Sequence, residues 1–223
     1  MKIAEIFYSL QGEGSLLGVP SFFIRTSGCN LRCSWCDTPY TSWQPEGEEM
    51  SLAQIVEAVR AHPCRHVVVT GGEPMIAPEI VPLTERLRES GLHITIETAG
   101  TVFHPVACDL MSISPKLANS TPEGPWATQH DRIRTRTEPL SELMARYDYQ
   151  LKFVIAQPGD MEEVRELIAA VEADRGRVIL MPEGVDPECL RQRALWLAEI
   201  CKGEGFRFSP RLHVDLYGNR RGV

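Results

Sequence analysis

This 223-residue chain lacks any stretch approaching the roughly 20 consecutive apolar residues of a membrane-spanning helix. Its opening, MKIAEIFYSLQGEG, has an apolar run too short and too interrupted for a secretory signal, so a cytoplasmic protein is expected. Basic residues are in deficit: 23 Lys and Arg against 30 Asp and Glu leave a formal net charge of -7. That balance excludes a protein that holds nucleic acid by bulk electrostatics, and a small anionic ligand would need basic residues placed locally. A disulfide framework is missing too. The 7 cysteines are odd in number, and Cys64, Cys108, Cys189 and Cys201 stand singly, as reduced, buried small hydrophobes do.

What the chain does have is three cysteines in GCNLRCSWCDT, residues 28–38. A structural zinc site normally takes four protein ligands, and disulfides consume thiols in pairs. Cys29, Cys33 and Cys36 suit neither arrangement, because three thiolates leave one metal position open.

Around this cluster, β-branched apolar runs alternate with helical segments. Strands are expected at 21–28, 65–72, 92–100, 110–116, 149–156 and 177–184. Between them, Ser51 and Gln54 form a capping box for a helix over 51–61, whose Leu52, Ile55, Val56 and Val59 make one apolar stripe. Further helices are expected near 79–90 with Pro82 early, at 161–174 opened by Asp160 and Glu163, and from Asp186-Pro187 to about 202. Six β-α units are too few for a complete eightfold barrel. The expected fold is α/β, a partial open (β/α) barrel of about six strands in a single domain over 1–223, with a doubly wound sheet as the alternative. Residues 118–136 lack an apolar period and read as a long loop, either a solvated excursion or an active-site lid. A C-terminal tail is expected near 217–223.

Strand alternation separates faces without any appeal to motifs. His93, Thr95 and Glu97 share one side and Leu92, Ile94 and Ile96 the other; Gln150, Lys152 and Val154 likewise oppose Leu151, Phe153 and Ile155. The polar sides are expected to face into the barrel. Polar residues also gather at strand C-terminal ends, in Thr70-Gly71-Gly72-Glu73, Glu97-Thr98, Ser114-Pro115-Lys116 and Pro182-Glu183, the rim where α/β folds bind ligands. Taken singly, Lys152 or Glu97 reads equally as a partnered ion inside the barrel. The cysteines also admit a zinc module whose fourth ligand is His62, Cys64 or His66.

The C-x3-C-x2-C spacing after a first strand, with Trp35 before the last cysteine and TGGEP after the next strand, resembles the radical S-adenosylmethionine superfamily. The resemblance implies a [4Fe-4S] cluster on Cys29, Cys33 and Cys36. Its fourth iron chelates the amino and carboxylate groups of S-adenosylmethionine, which an electron from the cluster cleaves to a 5′-deoxyadenosyl radical. The Gly71-Gly72-Glu73 backbone then receives the methionine ammonium, and Trp35, Ser114, Pro115 and Lys116 contact the cosubstrate. Met181, Pro182 and Glu183 align more loosely with the cosubstrate-binding turn.

A second set of motifs, EIFYSLQGEG at 5–14, Arg25, CDT at 36–38, ETAG at 97–100, SPK at 114–116 and LK at 151–152, resembles the 7-carboxy-7-deazaguanine synthase family. This implies ring contraction of 6-carboxy-5,6,7,8-tetrahydropterin with loss of ammonia, in queuosine-type 7-deazapurine biosynthesis. It also implies a pterin bound by Leu10, Gln11, Gly12, Glu13, Arg25, Thr70 and Glu97, and Mg2+ on Thr38. Lys152 carries no assigned role. Partners implied are an external flavodoxin-like electron donor and a second copy of the chain in a homodimer, with no nucleic acid and no membrane. Some members carry a long insertion between the first two cysteines and end on a proline whose carboxylate touches substrate. Here the spacing is short and the chain continues through HVDLYGNRRGV, so His213 is the candidate for part of that role, against a structural histidine in a strand. GNRR reads equally as a solvated basic tail. Two alternatives to the pterin enzyme are a glycyl-radical activase of the same superfamily and a non-enzymatic zinc module.

Overall fold

The computed structural model describes residues 1–223. In chain order the elements are β1 (Lys2–Leu10), β2 (Pro20–Thr26), α1 (Pro39–Ser42), β3 (Glu48–Glu49), α2 (Leu52–Arg60), β4 (His66–Gly71), α3 (Ile80–Glu89), β5 (His93–Thr98) and β6 (Leu110–Ile113). There follow α4 (Ala127–Arg134), α5 (Glu138–Arg146), β7 (Tyr149–Ile155), α6 (Met161–Ala170), β8 (Val178–Pro182), α7 (Pro187–Glu204), β9 (Arg207–Phe208) and α8 (Leu212–Tyr217). None of the helices is long and apolar enough to cross a membrane.

All nine strands share one sheet in the order β3-β1-β2-β4-β5-β6-β7-β8-β9. From β2 to β9 every neighbour is parallel, whereas β1 runs antiparallel to β2 and β3. The six expected strands are thus the middle of the sheet, and β1, β3 and β9 extend it. Period-two alternation sorts their side chains. Phe22, Ile24, Val67, Val69, Ile94, Ile96, Leu151, Phe153 and Ile155 join the apolar core with Leu52, Ile55, Leu83, Leu143, Val164 and Leu197 of the helices. The intervening Phe23, Arg25, Thr70, Glu97, Ser112, Lys152 and Val154 line a cavity on the opposite face. A doubly wound sheet would bury apolar residues beneath helices on both faces. One covered face, one cavity-bearing face and unpaired edges at β3 and β9 define an open partial barrel.

Local signals placed several helices closely. Ser51 and Gln54 form the reciprocal capping box of α2, a device worth about 1 kcal/mol. Asp186 Oδ1 accepts from Cys189 N at 2.9 Å to start α7, which ends at Gly205 with φ of 71°. Other expectations need correction. Residues 118–136 are not one loop, since they hold a 3-10 turn and α4. That helix buries His130, whose Nδ1 accepts from Arg32 N at 3.1 Å and whose Nε2 meets Ser120 Oγ at 2.9 Å. A helix anchored through a polar side chain has no apolar stripe to reveal it. Helix α6 ends at Ala170, short of 174, and the Asp160 side chain does not cap it. Asp160 instead accepts from Ala156 N and Asn119 Nδ2. His213 lies in α8, not in a strand. Of the scattered cysteines only Cys201 is fully buried, the other three being partly exposed.

Candidate active site

The strand C-terminal ends and the loops beyond them enclose a cavity of about 460 Å³. Loop 28–38, between β2 and α1, brings Cys29, Cys33 and Cys36 to its wall. The turn after β4 lies against this loop. Glu73 N donates to Gly28 O at 2.9 Å, and a Cβ on Gly72 would stand 2.2 Å from that carbonyl oxygen and 2.8 Å from Cys29 Cβ. Gly71 has a φ of 141°, a conformation that only glycine adopts without strain. The paired glycines are therefore what lets the cluster loop sit against β4.

The chemistry of these thiols fits a cluster. Burial pushes Cys29 up to about 12 and Cys33 up to about 11, so both stay neutral until a metal displaces the proton. The zinc alternative fails on position. His66 begins β4 and pairs in register with Ser21 at the start of β2, whereas the cysteines follow the other end of β2. None of His62, Cys64 and His66 lines the cavity. What remains is three thiols facing a shared space with no fourth cysteine, the donor set that a [4Fe-4S] cluster with one open iron takes.

Of the residues expected to contact a cosubstrate, Trp35, Gly71, Gly72, Ser114, Lys116, Met181 and Glu183 line the cavity, whereas Pro115 and Pro182 do not. Lys116 Nζ donates to Ser114 O at 2.9 Å and Ser114 Oγ at 2.8 Å, and no carboxylate pairs with it. The Glu73 carboxylate turns away from the cavity: fully buried, it accepts from Thr98 Oγ1 at 2.7 Å, Ala99 N at 2.8 Å and Met75 N at 3.0 Å. Burial raises its pKa above the ordinary carboxylate value. Only the backbone of Glu73 is left for a ligand. Glu183 is paired with Arg193.

The same cavity is also lined by Leu10, Gln11, Gly12, Glu13, Arg25, Thr70, Glu97, Lys152 and His213. Several of their groups are already committed. The Gln11 amide donates to Glu97 Oε1 at 3.2 Å and accepts from Glu13 N at 3.1 Å, while Gly12 O accepts from Leu212 N at 2.9 Å. Thr70 Oγ1 donates to Glu97 Oε2 at 2.9 Å. Arg25 binds Glu5 Oε1 through Nε at 2.6 Å, and Tyr40 donates to the same oxygen at 2.6 Å. Glu13 lies between two cations, Lys152 and Arg211. Burial alone would raise its carboxyl, but the charges of Lys152, Arg211 and His213 outweigh that and hold it well below the usual range. Burial would lower Lys152, and Glu13 and Glu97 instead keep it raised. His213 is lowered, chiefly by burial.

Thr38 also lines the cavity. It sits at the start of α1, where its side chain makes no capping hydrogen bond. Neighbouring Asp37 is paired with Arg211. Residues 219–223, for which the sequence offered only a tail, line the same cavity; Arg221 pairs with Glu46 at 2.9 Å and stands 3.4 Å from the Tyr40 ring centre. Sequence reasoning missed Arg211, Tyr40 and this tail as parts of the site. Glu5, at the head of a quoted motif, could have been singled out as the buried partner that Arg25 needs.

A wall of three thiols beside a glycine-lined backbone edge, at the rim of an open (β/α) barrel, is the layout of a radical S-adenosylmethionine enzyme, and residues 23–149 match the Radical SAM superfamily. The chain is 44% identical to the 7-carboxy-7-deazaguanine synthase of Halobacterium salinarum, over 98% of this chain and 91% of that protein. To the Escherichia coli 7-carboxy-7-deazaguanine synthase it is 33% identical, over 96% and 97%. The crystal structure of QueE from Escherichia coli superposes with a TM-score of 0.72 at 29% identity, covering 95% of this chain and 94% of that one. Streptococcus suis SuiB, at 13% identity and a TM-score of 0.57, shares the fold. The chain belongs to the 7-carboxy-7-deazaguanine synthase family.

Proposed function

We infer that the chain converts 6-carboxy-5,6,7,8-tetrahydropterin to 7-carboxy-7-deazaguanine with loss of ammonia, the ring contraction of queuosine-type biosynthesis. The observation that carries this reading is one cavity lined by both the three-thiol loop and the carboxylates Glu13 and Glu97. When bound, the cluster and S-adenosylmethionine supply the radical that starts the reaction. Cys29, Cys33 and Cys36 hold the cluster. The Gly71-Gly72 backbone edge takes the cosubstrate ammonium, and Lys116, free of any carboxylate partner, faces its carboxylate.

Gly12 O, the Gln11 amide and both carboxylates already hold protein hydrogen bonds, so the amine edge of the pterin is met by the second lone pairs of the Glu13 and Glu97 oxygens. Arg25 uses Nε for Glu5 and turns its terminal nitrogens to the substrate carboxylate. Thr38 offers one hydroxyl that caps no backbone group and accepts only a long bond from Thr41 Oγ1, at 3.4 Å, with Cys36 Sγ 3.9 Å away. One protein oxygen suits a Mg2+ that keeps its waters and arrives with substrate oxygens. The single sheet running through the chain supports reading 1–223 as one domain. An external flavodoxin-like electron donor and a homodimer complete the reading by family likeness alone.

The test is anaerobic incubation of reconstituted protein with S-adenosylmethionine, reductant and the carboxypterin, followed by product mass. The mass of 7-carboxy-7-deazaguanine is expected. Unchanged carboxypterin in the presence of an intact cluster would overturn the reading.

A further inference from the structure

One side chain touches three of the loops that build the cavity, and no recognised motif includes it. Arg211 directly precedes α8, 198 residues from Glu13 and 174 from Asp37. Its Nε donates to Glu13 Oε1 at 3.1 Å, its Nη1 to the Gly184 carbonyl at 2.5 Å and its Nη2 to the Asp37 carboxylate. Glu13 belongs to the turn after β1, Asp37 follows the last cluster thiol, and Gly184 follows β8. Among side chains, only a guanidinium holds its donors in a rigid planar fork that serves three acceptors at fixed angles. The side chain is only 9% exposed, so water competes little for these bonds.

The residues on either side brace the same turn. Ser209 Oγ accepts from Gly14 N at 2.8 Å, Leu212 N donates to Gly12 O at 2.9 Å, and a Cβ on Gly12 would stand 2.1 Å from His213 Nδ1. Charge balance at Glu13 does not explain Arg211, because Lys152 already pairs with that carboxylate. Lys152 forms no ion pair with Asp37, so it does not join the substrate turn to the cluster loop.

We propose, building on the carboxypterin reading, that Arg211 is the positioning residue that locks the substrate turn 11–14 to the cluster loop at Asp37, so that substrate and cosubstrate meet in one register. Losing that lock leaves both ligands able to bind but misaligned. The signature is uncoupling: 5′-deoxyadenosine forms without a matching amount of product.

The test compares Arg211→Lys, Arg211→Gln and Asp37→Asn with the wild type and with Lys202→Gln, a control in an exposed pair with Glu199. In cluster-free protein, amide hydrogen exchange is read on peptides covering 10–15 and 36–40. Both are expected to exchange faster together in the Arg211 variants, with β4 keeping its wild-type protection. In reconstituted enzyme, kcat/KM for the carboxypterin should fall about tenfold or more. The ratio of 5′-deoxyadenosine to product should rise while the KM for S-adenosylmethionine moves less than about threefold. Arg211→Lys should lie between wild type and Arg211→Gln. If Arg211→Gln does not fold, Arg211→Lys and Asp37→Asn carry the comparison. Faster exchange confined to 207–217, or an unchanged ratio in folded variants, overturns the proposal. Absence of product from the wild type would instead overturn the carboxypterin reading, and the exchange result stands independently of it.

Discussion

Gly72 and Cys29 pack so closely that a single added methyl at position 72 would come within 2.8 Å of the cysteine Cβ. The first thiol of the cluster loop is thus positioned by backbone contact with the turn after β4. Gly72→Ala has no free space to enter, since the Gly28 carbonyl lies closer still, at 2.2 Å. Overpacking of this kind costs about 1–3 kcal/mol. Iron content per chain and affinity for S-adenosylmethionine are expected to fall together, measured by metal analysis and equilibrium binding. Normal values for both would mean that the two loops move independently.

The cysteines divide by position. Cys29→Ala, Cys33→Ala or Cys36→Ala should each abolish turnover with loss of the iron-sulfur absorbance. Cys64→Ala should leave both intact, being remote from the cavity. Cys201→Ala, which removes a buried thiol of α7 from the core, should cost about 1 kcal/mol of stability without loss of iron. Absorbance and denaturant midpoints read the two effects separately.

The proposed Mg2+ ligand Thr38 has to be told apart from its neighbour Asp37. Asp37 is committed to Arg211, whereas the Thr38 hydroxyl caps no backbone group. Thr38→Val keeps the volume and deletes one hard oxygen, so the Mg2+ concentration giving half-maximal activity should rise with cluster content unchanged. Asp37→Asn should leave that requirement where it was. A rise for Asp37→Asn alone would move the ligand one residue back.

Glu13 supplies a pH dependence whose sign follows from its neighbours. Its carboxyl is held below the free value of 4.5 by Lys152 and Arg211, despite burial. The stabilisation is therefore complete above about pH 4.5 and is lost as pH falls towards the depressed folded value. Glu13→Gln leaves Lys152 buried without its partner and should lower stability at neutral pH by about 3 kcal/mol or more. It should also flatten the acid limb of the stability curve. Denaturant unfolding at pH 7 and pH 4 checks both; an unaltered acid limb would show that other carboxylates dominate it.

How far the sequence discloses the structure depends on how local each signal is. The strand from His66 to Gly71 was legible because its β-branched run Val67-Val68-Val69 is a local signal, and α2 and α7 because their caps lie within three residues of their starts. The thiol loop was legible because its spacing is itself the chemistry. Helix α4 was hidden, since its anchor His130 bonds to Arg32 and Ser120 through a polar ring. Arg211 was hidden more deeply, because its meaning exists only when segments nearly 200 residues apart meet. The tail 219–223 reads as solvated basic residues until Glu46 and Tyr40 are brought beneath Arg221.

On the reading proposed above, S-adenosylmethionine binds at the iron that the three thiolates leave open, beside the Gly71-Gly72 edge. The most direct measurement is electron-nuclear double resonance on the anaerobically reduced protein with S-adenosylmethionine carrying 15N in the amino group. Coupling between that nitrogen and the cluster spin is expected in the wild type, as direct iron coordination requires. An intact reduced cluster showing no coupling to the labelled nitrogen, with the cosubstrate bound, would contradict it.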